Sequence, residues 1–156
     1  MLQHSVDLQV PAKTAFELLE AVEKWPVWLS FLRSVRRSAP QAPLGLGCEL
    51  IVRSAIPGDE EELFEVDRFV GGFVLSLVGA YSVRRRIDIR IEGKTARSKL
   101  TVRIDYPTYG GPFAHLLDRA TTRRRLDSQL AESMLHFKGL VEYEGEPSET
   151  AVLVPI

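Results

Sequence analysis

Two arginines are the residues whose placement in this sequence most favours binding chemistry. In the predicted strand 63–70, Arg68 alternates in phase with apolar residues, and in the predicted strand 83–91, Arg85 does the same. Each is therefore a single charge on an otherwise apolar face. A guanidinium does not lose its proton, so a buried one needs oxygen atoms as partners. The anionic or carbonyl oxygens of a ligand would supply them.

Strand pairing predicts that both arginines face the same volume. If residues 71–72 form a two-residue hairpin turn, Arg68 lies opposite Leu75 on the next strand. A three-residue turn at residues 79–81 then places Arg85 opposite Leu75 from the other side. The two arginines would be two strand spacings apart, about 10 Å.

A partner within the protein is the alternative to a ligand for these arginines. Asp127 lies three residues before Leu130 and seven before Met134, which places it near the buried stripe of a predicted long helix. An internal ion pair between Asp127 and either Arg68 or Arg85 would satisfy both charges. Internal pairing and ligand binding are therefore both open interpretations.

Other candidates share an inward phase with apolar neighbours. The hydroxyls of Ser54 and Tyr106 either contact a ligand or bond to nearby backbone. Trp28 is predicted either to cap the mouth of a pocket or to belong to the core. The full set of predicted ligand-binding residues is Trp28, Ser54, Arg68, Leu75, Arg85, Val102, Tyr106, Leu130 and Met134.

The sequence lacks the motifs of several common site types. No two of the three histidines share a helical or strand spacing, and Cys48 is the only cysteine, so we expect no metal site and no internal disulfide. A Gly-x-Ser-x-Gly elbow, a phosphate loop and a dinucleotide fingerprint are all absent, so we expect no cofactor. Any catalysis would be acid–base chemistry, and the sequence identifies no particular catalytic residue.

Length, composition and charge indicate how many domains the protein has, which partners it can bind and where it is located. The 156 residues are 45% hydrophobic and 26% charged, enough for one domain with a sizeable core. A net charge of -1 argues against a nucleic-acid partner, which requires a surplus of basic residues on one face. The first residues do not form a signal peptide, and no segment approaches 18 apolar residues. We therefore expect a cytoplasmic protein with no stable membrane insertion.

One long helix is the element that must position the candidate residues. Residues 110–144 are rich in Leu, Ala, Arg and Glu, and Pro112 falls where a first helical turn tolerates proline. Such a helix would be about 45 Å long. Its apolar residues recur at steps of three and four and predict a buried stripe, formed by Leu116, Leu117, Ala120, Leu126, Leu130, Met134, Phe137 and Val141.

The rest of the chain predicts strands that cover this helix. Two short helices, one beginning at Pro11 and one at residues 27–32, follow the first strand. Strands are predicted at residues 4–10, 33–38, 48–56, 63–70, 73–78, 83–91 and 96–106. A curved antiparallel sheet around one helix leaves an apolar cavity, predicted at about 300 Å³ or more. Its predicted mouth lies between residues 25–32 and residues 106–112.

The order of these elements resembles that of a known superfamily. The segment VDLQVPAKTAFELLEAVEKWPVWLSFLRSV resembles the opening of START-like, or SRPBCC, proteins, and GGPFAHLLDRATTRRRLDSQLAESMLHFKGLVE is similar to their closing helix. The resemblance covers residues 4–144. It implies an α+β helix-grip (START/Bet v 1-like) fold of six or seven strands, with a single domain at residues 1–144 and a tail at residues 145–156.

The resemblance also implies a set of functions. Binding or transport of a small hydrophobic ligand, such as a lipid, a quinone or a polyketide-like molecule, is the leading expectation. The alternatives are a polyketide cyclase/dehydratase acting on a related ligand and a protein-interaction module. One fold hosts many activities, so the resemblance alone does not choose among them.

Overall fold

The computed structural model describes residues 1–55, 60–80, 85–93, 95–105 and 114–144. A short 3-10 helix, Val22–Lys24, lies between the first two α-helices. The remaining elements in chain order are β1 Leu2–Leu8, α1 Ala12–Glu20, α2 Trp25–Trp28, β2 Leu32–Arg37, β3 Glu49–Ser54, β4 Glu60–Val70, β5 Val74–Gly79, β6 Arg86–Gly93, β7 Ser98–Asp105 and α3 Ala114–Glu144.

The seven strands form one antiparallel sheet in the order β1-β7-β6-β5-β4-β3-β2. Strands β2 to β7 are neighbours in sequence order, whereas β1 lies at the far edge and pairs with β7. Buried and exposed residues alternate along most strands, so one face of the sheet, the inner face, carries the core. The predicted antiparallel sheet of six or seven strands with a long C-terminal helix is confirmed.

Helix α3 is 31 residues long and closes the inner face. The buried apolar residues among its described side chains recur at steps of three and four, as an amphipathic helix requires, and belong to the predicted stripe: Leu126, Leu130, Met134, Phe137 and Val141. The nearest elements to the α3 backbone are β1, α2 and α1. The helix therefore lies along one edge of the sheet and against the two short helices.

Side chains of α3 also protect the open edge of β1. Lys138 Nζ donates to the backbone carbonyl of Asp7 at 2.9 Å, and the backbone N–H of Gln9 donates to Glu142 Oε1 at 3.3 Å. Lys138 and Glu142 are themselves paired at 2.7 Å, one helical turn apart. Because an edge strand presents unpaired backbone groups, these contacts reduce its tendency to pair with another chain.

The predicted second helix is displaced in the structure. It begins at Trp25 and ends at Trp28, so Pro26 lies in its first turn instead of ending the preceding helix. Leu32, predicted to be helical, begins β2. The indole N–H of Trp25 donates to the Leu19 carbonyl at 2.8 Å, which anchors α2 to the end of α1.

The hairpin between β4 and β5 has a three-residue turn, not the predicted two-residue turn. Val70 pairs with Val74, and the N–H of Phe73 donates to the Val70 carbonyl at 2.9 Å. Gly72 has a φ of 87°, a conformation that L-residues rarely adopt. The extra turn residue changes which residues of β5 lie opposite those of β4.

Candidate functional site

One end of the sheet carries inner-face residues that keep a little accessible surface. This end, called the Arg85 end, is where β1 and β6 begin and where β3 and β7 terminate at Ser54 and Asp105. The last apolar inner-face residues there, Phe64, Ile87 and Ile104, are 6 to 7% accessible. Further inside on the same strands, Val66, Ile89 and Val102 have no accessible surface. The Arg85 end is therefore one place where a ligand could contact the inner face.

Four predicted site residues lie in the deeper part of the interior. Leu75 and Val102 are buried on the inner face, and Leu130 and Met134 are buried on the stripe of α3. These side chains are in contact with other buried groups and leave almost no surface accessible to water. A ligand reaching them would require neighbouring side chains to move, so the predicted cavity of about 300 Å³ stays a prediction.

Arg85 lies at the entrance to this interior and pairs with Glu62. Glu62 belongs to β4 and shares the inward phase of Phe64 and Val66, while Arg85 precedes β6 in the phase of Ile87. The side chains are partly accessible, 15% for Arg85 and 28% for Glu62. The pair is thus a charged group on the inner face that solvent, or a ligand, can touch.

Gly79 lies between the two strands that carry this pair. It belongs to β5, opposite Phe64 of β4 on one side, and its N–H donates to the Arg85 carbonyl at 2.8 Å on the other. Glu62 lies two residues before Phe64 on β4. Arg85 and Glu62 therefore pair across β5, over two strand spacings or about 10 Å of sheet.

The predicted position of Arg85 opposite Leu75 is wrong. Leu75 pairs with Ile89, and Arg85 lies opposite Gly79, four residues nearer the end of β5. The predicted inward phase of Arg85 agrees with its low accessibility, but its carboxylate partner is on the sheet instead of the helix.

The prediction that Arg68 faces the interior is also wrong. The pairing of β4 with β5 shifts between Val66 and Arg68, which marks a β-bulge. Beyond the bulge the phase of β4 is reversed, so Phe69 turns inward and contacts the Phe16 ring with centroids 5.9 Å apart. Arg68 is exposed. Its charge is solvated, and it lies opposite Ser76 instead of Leu75.

Asp127 does not act as the internal partner that the sequence suggested. Its carboxylate is half exposed, and Oδ1 lies 2.8 Å from His4 Nε2 on β1. His4 shares the inward phase of Leu2 and Val6 and is 29% accessible. The predicted pair between Asp127 and an arginine is therefore replaced by two separate pairs, His4 with Asp127 and Arg85 with Glu62.

Trp28 is fully buried and packs edge-to-face on Phe137, with ring centroids 4.8 Å apart. A second edge-to-face contact joins it to Trp25 at 6.3 Å. Its Nε1 has no hydrogen-bond partner within the described part of the chain. These contacts favour the core interpretation of Trp28 over a cap at the pocket mouth.

The two hydroxyl candidates differ in what the structure describes. Ser54 is half buried at the last position of β3, opposite Leu32 and Glu60, and so lies at the Arg85 end. Tyr106 lies outside the described residues, as does the predicted mouth segment 106–112.

Sequence reasoning missed Glu62 and His4. Placing the start of β4 at residue 63 left Glu62 outside the strand, although its spacing from Phe64 and Val66 gives the same inward phase. His4 alternates in phase with Val6 and Leu8, which indicates an inward side chain. Its position near the start of the chain argued against a role in a site.

The described residues include no group of three or more His, Cys, Asp or Glu side chains arranged to hold a metal ion. None of the described helices combines the length and apolar character needed to cross a bilayer.

Comparison with solved structures identifies the fold. The Zhui aromatase/cyclase from Streptomyces matches with a TM-score of 0.62 at 16% identity, covering 93% of this chain and 92% of that one. The chain has the helix-grip (START/Bet v 1-like) fold. The polyketide_cyc-like protein Cgl2372 from Corynebacterium glutamicum matches at 0.60 and 14% identity, covering 93% of each chain. Ara h 8.0201 matches at 0.56 and 12% identity, covering 90% of this chain and 95% of that one.

These identities are low, so the matches establish the fold and not an activity. Comparisons with protein-family models and with curated proteins gave no match.

Proposed function

We propose that this protein binds a small hydrophobic ligand, a lipid, quinone or polyketide-like molecule, between the inner face of the sheet and α3. The observation that carries this proposal is the partly accessible pair of Arg85 and Glu62 beside apolar side chains at the Arg85 end. The apolar residues there are buried and 5 to 7% accessible: Phe64, Ile87 and Ile104 on the sheet, and Leu126 on α3. Apolar side chains beside a few polar groups are typical of small-molecule sites.

The ligand would enter at the Arg85 end and displace side chains deeper in the interior. Ser54 and Arg85 would contact its polar part, and Leu130 and Met134 its apolar part. Leu75 and Val102 would form the wall behind them. Met134 is suited to this role because its unbranched side chain repacks more easily than a branched one.

The names of the structural neighbours support the ligand class. One is described as an aromatase/cyclase and another as polyketide_cyc-like, and these descriptions support a polyketide-like ligand for this chain. In this chain a carrier role in the cytoplasm accords with the same fold. It requires binding without any chemical step.

Native mass spectrometry of protein purified without detergent, followed by organic extraction, tests the binding proposal. A co-purified quinone, fatty acid or polyketide would identify the ligand class. Protein that is recovered without a bound molecule and fails to bind an apolar fluorescent probe would contradict the proposal. A protein-interaction function would then be favoured.

The His4–Asp127 pair supports a second candidate function, that of a cyclase/dehydratase. A carboxylate only accepts hydrogen bonds, so His4 Nε2 carries the proton and Nδ1 of the neutral ring is the nitrogen able to accept one. A histidine oriented in this way has the arrangement of a general base.

A substrate assay with matched binding measurements tests this second function. We expect His4→Gln to abolish turnover of a poly-β-ketone thioester while the affinity for an apolar probe stays unchanged. Equal turnover by the wild-type protein and His4→Gln would remove His4 from the mechanism.

A further inference from the structure

The Arg85–Glu62 pair lies where the polar part of an entering ligand would come to rest. Both side chains belong to the inner face and both are partly accessible, and each lies two residues from a buried apolar residue of the same phase: Glu62 from Phe64, and Arg85 from Ile87. The pairing gives this entrance two charges of opposite sign instead of one unbalanced positive charge. The chemistry of the entrance therefore depends on Glu62 as much as on Arg85.

A ligand carboxylate is disfavoured at such a pair. Its negative charge would lie beside the carboxylate of Glu62, and like charges in a partly desolvated site repel each other. To bind Arg85 directly, it would also have to compete with Glu62 for the guanidinium.

A neutral carbonyl oxygen has neither difficulty. It accepts a hydrogen bond without bringing charge, and a guanidinium has five N–H donors, more than one carboxylate can use. The paired arginine can thus serve as a donor to a ketone, quinone or ester oxygen while Glu62 stays in place.

We propose that the Arg85–Glu62 pair selects hydrophobic ligands whose polar end is a neutral carbonyl and rejects those that end in a carboxylate. This inference rests on the proposed binding function and narrows its ligand class. Quinones, poly-ketones and esters fit the site, whereas free fatty acids do not.

The chain provides a matched control for Glu62. The adjacent residue, Glu61, also belongs to β4 and also pairs with an arginine, Arg36, at 3.4 Å. Both side chains of that pair are more than half exposed and Glu61 has the opposite strand phase. Glu61→Gln therefore removes the same charge at a neighbouring position, away from the proposed site.

The test compares cis-parinaric acid with its methyl ester, two fluorescent probes with the same chain and different polar ends. At about pH 8 the acid is ionised. We expect the wild-type protein and Glu61→Gln to bind the ester about 10-fold more tightly than the acid. In Glu62→Gln the competing carboxylate of Glu62 is removed and the guanidinium of Arg85 can form a charge-assisted pair with the ligand, so the acid should gain about 10-fold in affinity while the ester changes little.

The outcomes separate the two proposals. Equal or tighter binding of the acid by the wild-type protein, or the same ratio of affinities in Glu62→Gln as in Glu61→Gln, would overturn the selectivity and leave the binding function in place. Failure of the wild-type protein to bind either probe would overturn the binding function and the selectivity together. The comparison of the two probes on the wild-type protein requires no variant to fold.

Discussion

The imidazole of His4 and the carboxylate of Asp127 lie 2.8 Å apart and join the first strand to the long helix. These residues are 123 positions apart in the chain. The contact therefore fixes the long helix against the first strand at the level of Val102, which lies opposite His4 on β7. Because both side chains are partly accessible, the pair orients the histidine more than it stabilises the fold.

A double-mutant cycle on His4 and Asp127 measures that stabilisation. We expect His4→Ala and Asp127→Ala each to lower the free energy of unfolding by about 1 kcal/mol or less, with a coupling of about 0.5 kcal/mol. Urea denaturation of the four proteins gives these values. A coupling of several kcal/mol would show that the pair is a major structural contact.

The contacts of α3 with the edge of β1 predict a local effect on hydrogen exchange. Glu142→Ala removes the acceptor for the Gln9 N–H and the partner of Lys138. We expect the Gln9 amide to exchange faster, with a loss of stability of about 1 kcal/mol. Glu132→Ala, at an exposed position on the same helix, is the control. Equal exchange at Gln9 in both variants would show that Glu142 does not protect this edge.

The bulge in β4 predicts that replacing Phe69 lowers the stability of the fold, whereas replacing the adjacent Arg68 does not. Phe69 is inward and contacts Phe16, so Phe69→Ala should cost about 1 to 3 kcal/mol of unfolding free energy. Arg68 is exposed, so Arg68→Ala should change stability by no more than about 0.5 kcal/mol. Thermal denaturation distinguishes them. If Arg68→Ala instead lost more stability than Phe69→Ala, β4 would have no bulge and Arg68 would face the interior, as the sequence predicted.

Arg68 also shows where sequence reasoning ended. Strand alternation correctly predicts inward residues only while the period of two is unbroken, and a bulge reverses the phase without any marker in residue type. The stripe of α3 was predictable because Leu130, Met134 and Phe137 repeat within a single helix. The Arg85–Glu62 pair was not, because it depends on the register of three strands.

Because Arg85 pairs with Glu62, removing the charge of Arg85 alone is expected to lower the stability of the fold. Arg85→Met leaves the Glu62 carboxylate without this partner, and because both groups are partly accessible we expect a modest loss of about 1 to 2 kcal/mol. The double variant Arg85→Met with Glu62→Leu should recover most of that loss. Urea denaturation measures both. No recovery in the double variant would show that Glu62 is not the partner that matters.

The two tryptophans of α2 are expected to differ in how much their indole N–H groups contribute to stability. Trp25 and Trp28 are both fully buried, but only the Trp25 indole has a hydrogen-bond partner among the described residues, the Leu19 carbonyl at 2.8 Å. Replacement by phenylalanine removes the donor and part of the ring volume at either position.

At position 25 the substitution also leaves the Leu19 carbonyl without this hydrogen bond, whereas at position 28 it removes an N–H that was buried at a cost. We therefore expect Trp25→Phe to be less stable than Trp28→Phe by about 1 kcal/mol, as measured by urea denaturation. If Trp28→Phe is the less stable of the two, the Trp28 N–H has a favourable partner in solution, and Trp28 returns to the set of ligand-contacting candidates.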